Sequence, residues 1–203
     1  MNRKIALCAS AVNLAAVAGF AVSMLFRFDF GSYLSSMFIA LSFVPMMSGY
    51  AFLAPKESKS AGYMAVAFAA TYTAIILLVY YAQLTTVRLQ NLTPQAAMLL
   101  DFQQYGLMFN YDLLGYGIMA LATFFAGLTI SPRTKADKGL KYLLLVHGVF
   151  FFSCLVMPML GIFKVDSPAW TGIAVLEFWC LYFSFIDLLS WRFFKTRFIQ
   201  ASH

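Results

Sequence analysis

The stretch GYMAVAFAATYTAIILLVYYAQL, residues 62–84, contains no Asp, Glu, Lys or Arg. As a helix rising 1.5 Å per residue it would cover about 35 Å, enough to cross a hydrocarbon core of about 30 Å. A surface helix of a soluble protein needs only one apolar stripe, whereas this segment is apolar on every side, which suits a bilayer. The same criterion, applied outward along the chain, selects residues 5–26, 33–54, 111–130, 141–163 and 169–191. Six spans in one domain covering residues 1–203 predict an all-α, polytopic transmembrane bundle.

Composition supports this reading. Hydrophobic residues make up 62% of the 203 and charged residues 11%, with a mean hydropathy of +0.79; soluble domains carry about 25% charged residues. The net charge of +6 forms no basic stripe, which argues against a nucleic-acid partner. The bilayer is the expected partner, its anionic headgroups facing the cations at the span ends. Cys8, Cys154 and Cys180 are an odd number inside apolar stretches, so a disulfide framework is not expected. Arg3 and Lys4 precede an apolar run of 22 residues. That is longer than the roughly 7–15 of a signal peptide, so residues 5–26 read as a retained span.

The fourteen Lys and Arg residues order the spans. Eleven fall in alternate gaps: Arg3 and Lys4; Lys56 and Lys59; Arg133, Lys135, Lys138 and Lys141; Arg192, Lys195 and Arg197. The opposite gaps hold Arg27, Arg88 and Lys164. Cytoplasmic loops concentrate Lys and Arg, so both termini are expected in the cytoplasm and the protein in the inner (plasma) membrane.

The one long connection, residues 85–110, then lies outside. Thr93-Pro94 reads as an N-cap with Pro in the first turn, and Met98, Leu99, Phe102 and Tyr105 follow at helical spacing up to Gly106. A short amphipathic helix is expected there, either a lid over an outward-facing cavity or a surface helix covering loop backbone. Ala11, Ala15, Gly19 and Ser23 recur every fourth residue in the first span, and Ala61, Ala65, Ala69 and Thr73 in the third. Such spacing lets helix backbones approach closely in lipid, so both spans are expected to be central; a ridge that docks a partner is the alternative. Pro45-Met46 and Pro158-Met159 sit near the ends of spans two and five. They suggest an inverted three-plus-three repeat with interrupted helices, although Pro is also tolerated singly in membrane helices.

Ionisable groups inside spans are costly and are functional candidates. Glu177 lies eight residues into span six, about 12 Å deep. Asp112 opens span four beside Tyr111. With Arg88 and Tyr105 from the long loop, these residues would make an outer vestibule. His147 and Asp187, toward the other end of spans five and six, would form an inner proton relay, since His titrates near neutral pH. The opposing reading has Glu177 neutral and hydrogen-bonded in the bundle, and Asp187 reaching the interface near Arg192 or Lys195.

Two His, one of them the last residue, cannot supply a multi-His metal site. No Gly-x-Ser-x-Gly elbow, phosphate-binding loop, dinucleotide fingerprint or CxxC occurs, so neither a metal nor a cofactor is expected. Tyr111-Asp112-Leu113-Leu114-Gly115-Tyr116, His147-Gly148 and Met157-Pro158-Met159-Leu160-Gly161 resemble small bacterial six-helix membrane proteins of uncharacterised families. That resemblance implies an all-helical membrane fold and carries no assigned chemistry. The sequence thus points to a small carrier or ligand-binding membrane protein with a small-molecule ligand. An accessory protein docking a membrane partner is the alternative, with an intramembrane lipid-acting enzyme third.

Overall fold

The computed structural model describes residues 1–163 and 169–200. Eight α-helices run in the order α1 (Asn2–Leu25), α2 (Asp29–Leu53), α3 (Lys59–Ala82), α4 (Pro94–Leu100), α5 (Leu107–Leu128), α6 (Lys135–His147), α7 (Phe150–Met159) and α8 (Ala169–Gln200). Six helical segments are long and apolar enough to cross a membrane, with α6 and α7 sharing one crossing. Sequence neighbours pack side by side: α1 on α2, α2 on α3, α3 on α5, and α5 on α6 and α7. Contacts of α8 with α1 and α6 close the ring. Short connections impose this antiparallel order. One end of the bundle carries the start of α1, the end of α8 and the eleven clustered cations (the basic end); the other carries α4 (the loop end).

The core of the ring is aromatic and sulfur-rich. Phe43, Met46, Met47, Tyr50, Tyr72, Ile76, Met119, Phe183 and Phe194 are fully buried. In α1 the buried face runs through Ala6, Ala9, Ser10, Asn13, Ala16, Val17 and Phe20. The small-residue stripe is therefore only partly an internal seam. Ala11 and Ala15 are exposed, while Gly19 and Ser23 are half-buried against the start of α2, near Ser35 and Gly31. In α3, Ala65 and Ala69 are completely buried, and the Thr73 hydroxyl donates to the Ala40 carbonyl at 2.8 Å.

Span five, expected over 141–163, is interrupted away from its Pro-Met pair. It breaks at Gly148–Val149, where backbone hydrogen bonds tighten to a three-residue step from Leu145 to Gly148 and from Val146 to Val149. Gly148 lets the chain at the break lie close against α5, because a Cβ there would lie 2.8 Å from Phe124 Cβ. Pro45, by contrast, lies inside an unbroken α2, and Pro158 in the last turn of α7. The two Pro-Met pairs occupy unlike positions and lend the inverted repeat no support.

Candidate functional site

Buried polar residues gather at three depths. Nearest the loop end, α5 contributes Asp112 and, one turn on, Tyr116; α3 contributes Tyr72 and Tyr80, and α2 contributes Ser36. Asp112, Tyr72, Tyr80 and Ser36 are all buried. The Tyr80 hydroxyl faces Asp112, and Ser36 faces Tyr80 and Tyr116. Among the described residues Asp112 Oδ1 has no hydrogen-bond partner, and the hydroxyls of Tyr72 and Tyr116 face each other without a well-formed hydrogen bond. Buried polar atoms are normally satisfied, so an unpartnered carboxylate oxygen with two unpartnered phenol hydroxyls near it marks this cluster out.

A cap covers the cluster. After α3 the helix widens into a π-turn over Gln83–Val87, a local distortion common at functional sites. Gln83 is buried and grips the long loop twice: Nε2 donates to the Leu100 carbonyl at 2.8 Å, and Oε1 accepts from the Phe102 amide at 3.0 Å. The Phe102 ring is thereby held among Tyr33 (5.9 Å), Tyr80 (5.9 Å) and Phe109 (5.2 Å). Thr93 caps α4 through Ala96 N at 3.3 Å, with Pro94 in its first turn. Gly106 lets the loop return to α5, since a Cβ there would sit 2.0 Å from the Met98 carbonyl oxygen. Phe102 therefore plugs the loop end of the bundle directly above Tyr80, which in turn faces Asp112.

At middle depth His147, the last residue of α6, is fixed from both sides. Trp179 Nε1 donates to His147 Nε2 at 3.0 Å, and His147 Nδ1 bonds Thr123 Oγ1 at 2.8 Å. Indole nitrogen can only donate, so Nε2 accepts and the imidazole proton resides on Nδ1. Thr123 sends its own proton to the Ala120 carbonyl at 2.8 Å. The chain Trp179–His147–Thr123–Ala120 is directional and fully satisfied, which is the signature of a structural clamp.

Deeper toward the basic end, Asp187 is fully buried and neither carboxylate oxygen has a partner among the described residues. It follows Trp179 by eight residues, about 12 Å along α8; His147 and Asp187 are accordingly not brought together. One turn beyond Asp187, Ser190 bonds the Tyr50 hydroxyl. Asn13 shares this depth. Gly49 brings Ala6 and Phe194 together, and two turns up the antiparallel α1 and α8 from that crossing lie Asn13 and Asp187. Asn13 Nδ2 donates to the Ile39 carbonyl at 2.9 Å and Ser42 Oγ at 2.8 Å, leaving its Oδ1 unpartnered. Lys195 does not reach Asp187; its ammonium lies over the Trp191 ring at 4.8 Å.

The expected outer vestibule is differently populated. Arg88 is exposed, its guanidinium over Phe30 at 5.1 Å. Tyr111 is exposed on the side of α5 away from Asp112. Tyr105 packs edge-on against Phe109 at 4.8 Å. Glu177 is half-buried with Oε1 unpartnered, and its neighbour is Cys180 of its own helix rather than Asp112. Lys164 lies outside the described residues. The groups that do surround Asp112 (Tyr72, Tyr80, Tyr116 and Ser36) had no distinctive signature, because tyrosines in apolar spans also serve packing and interfaces. Asn13 and Gln83 were legible: each is a lone amide in an apolar run, where an unpaired amide is costly.

Among the described residues no three His, Cys, Asp or Glu side chains gather as metal ligands, and the sole ion pair joins Arg197 to Asp137 at the basic end. What the Asp112 cluster offers chemically is a desolvated acceptor walled by aromatic rings and closed by a loop. The likeness to small six-helix membrane proteins extends to architecture, six long apolar helices, and to no family: no protein-family model, no curated protein and no solved structure matches the chain.

Proposed function

We propose that this polytopic membrane protein is a small carrier or ligand-binding protein whose site is the Asp112 cluster, entered from the loop end beneath the segment from α4 to Gln104. The observation that carries this reading is Asp112 itself: a buried carboxylate with an unsatisfied oxygen, seated under a plug whose backbone is latched by Gln83 and whose Gln103 bonds the Tyr33 hydroxyl. Charged groups within a span are expensive to keep and mark ligand or ion paths. With the basic end cytoplasmic, as the distribution of Lys and Arg favours, the plug opens outward from the plasma membrane. Asp187 and Asn13 then supply a second polar station nearer the cytoplasm, with the clamped His147 between the two. Glu177 borders the path on α8, while Arg88 and Tyr105 of the long loop lie at the rim and Tyr111 faces outward.

The reading is tested by access to the site. In a variant lacking Cys8, Cys154 and Cys180, Ser36→Cys should react with a membrane-impermeant thiol reagent applied from the loop end. Gln83→Ala should speed that reaction about tenfold or more. A thiol at position 36 that stays unlabelled for hours in both backgrounds would sink the gated site. A second reading, an accessory protein that docks a membrane partner, is favoured by the exposure of Ala11 and Ala15 on α1. It requires Ala11→Leu to abolish function while leaving labelling at position 36 unchanged.

A further inference from the structure

We infer that the ligand of the Asp112 site is a compact organic cation: an ammonium group carrying an apolar body about the size of a benzyl ring. This rests on the gated-site reading and adds the chemical class. Charge is the first consideration. Asp112 has no cationic partner among the described residues, and the Arg88 guanidinium of the long loop is engaged outside over Phe30. An anion entering the cluster would meet an uncompensated carboxylate; a cation supplies the missing charge. The second consideration is the wall. Tyr72 and Tyr116 meet edge to face at 5.6 Å, Tyr116 meets Trp179 at 5.4 Å, and Tyr80 closes the loop side against Tyr33 at 5.3 Å. Aromatic faces attract ammonium groups, most strongly once water is excluded. A divalent metal ion prefers several carboxylate or carbonyl oxygens, and this cluster has one carboxylate with only hydroxyls beside it.

The plug indicates the remainder of the ligand. Phe102 fills a slot bounded by Tyr33, Tyr80 and Phe109, and Tyr80 reaches from that slot to Asp112. When the plug lifts, the vacated slot has the shape of a benzyl group and lies one tyrosine away from the carboxylate. An arylalkyl ammonium would then put its ring where Phe102 was and its charge at Asp112, so ligand and plug compete for one place.

The probe is benzyltrimethylammonium, with benzamide as the neutral and benzenesulfonate as the anionic comparison. Its binding is measured by equilibrium dialysis of radiolabelled cation against the full chain in zwitterionic nanodiscs. Gln83→Ala, which frees the plug, should tighten binding about 30-fold. Asp112→Asn should weaken it at least tenfold. Tyr116→Leu should weaken it several-fold, with Tyr116→Phe close to wild type because the ring is needed and the hydroxyl is not. That tyrosine pair keeps the test valid should Asp112→Asn fold poorly. Failure of the cation to bind wild type and Gln83→Ala at millimolar concentration overturns the inference, as does binding unchanged by both Asp112→Asn and Tyr116→Leu. If benzamide or benzenesulfonate protects Ser36→Cys from labelling and the cation does not, the class is wrong while the gated site stands. If Ser36→Cys is itself never labelled, both fall.

Discussion

Removing the Gln83 amide should release the plug without unfolding the bundle. Gln83→Ala deletes two part-buried hydrogen bonds, Nε2 to the Leu100 carbonyl and the Phe102 amide to Oε1, at 2.8 and 3.0 Å. A net value of about 1 kcal/mol for each gives about 2 kcal/mol, or about a 30-fold rise in the open population. The loop lies at the bundle end, where water can satisfy the freed carbonyl and amide, so the desolvation penalty of a deeply buried deletion does not add. The Phe102 amide reports directly, because Gln83 Oε1 is its acceptor. Hydrogen exchange across residues 94–104, measured by mass spectrometry in nanodiscs, should accelerate about 30-fold while α3 and α5 keep their protection. Gln83→Glu keeps the acceptor for Phe102 and loses the donor to Leu100, so it should fall between. Exchange in Gln83→Ala within twofold of wild type would refute the latch, and would leave Phe102 held by its aromatic neighbours and by the Gln103 bond to the Tyr33 hydroxyl.

Three further outcomes follow from the same geometry. Replacing Asp187, buried with two unpartnered oxygens, by Leu should raise thermal stability by about 1–3 kcal/mol in nanodisc unfolding, because an unmet buried polar group is removed; a drop would mean the carboxyl is satisfied in the membrane. His147→Phe leaves Trp179 Nε1 without its acceptor and should cost about 1–3 kcal/mol, read as a lower melting temperature. Asp137→Ala removes the partner of Arg197 and the acceptor of the Arg133 and Thr134 amides. It should cost about 3 kcal/mol, against about 1 kcal/mol for Thr134→Ala, which removes only a cap; equal losses in denaturant titration would discount the ion pair.

How far the sequence reaches can be judged residue by residue. Residues 62–84 read as a span because lipid imposes one demand on every position, and that demand is visible without knowing the neighbours. Thr93-Pro94 announced the start of a helix, and capping is likewise local. Asp112 and Asp187 were conspicuous for the same reason: a carboxyl in an apolar run conflicts with its surroundings whatever the packing. Their partners were not. Depth alone set Asp112 beside Glu177 and His147 beside Asp187, but depth leaves the rotation of each helix open, and rotation decides which side chains meet. Rotation turns Tyr111 outward while Asp112 faces Tyr80, exposes Ala11 and Ala15 while Asn13 is buried, and aims Trp179 rather than Asp187 at His147.

The sequence by itself determined that this chain is a six-span membrane bundle with its cations gathered at one end, because hydrophobicity and charge are read against the bilayer, a partner common to all such proteins. Only the tertiary structure decided that Gln83 latches Phe102 over Asp112 and that the polar groups sort into three separate stations. Those outcomes depend on how particular helix faces turn toward one another, and that is settled by packing between segments distant in the chain.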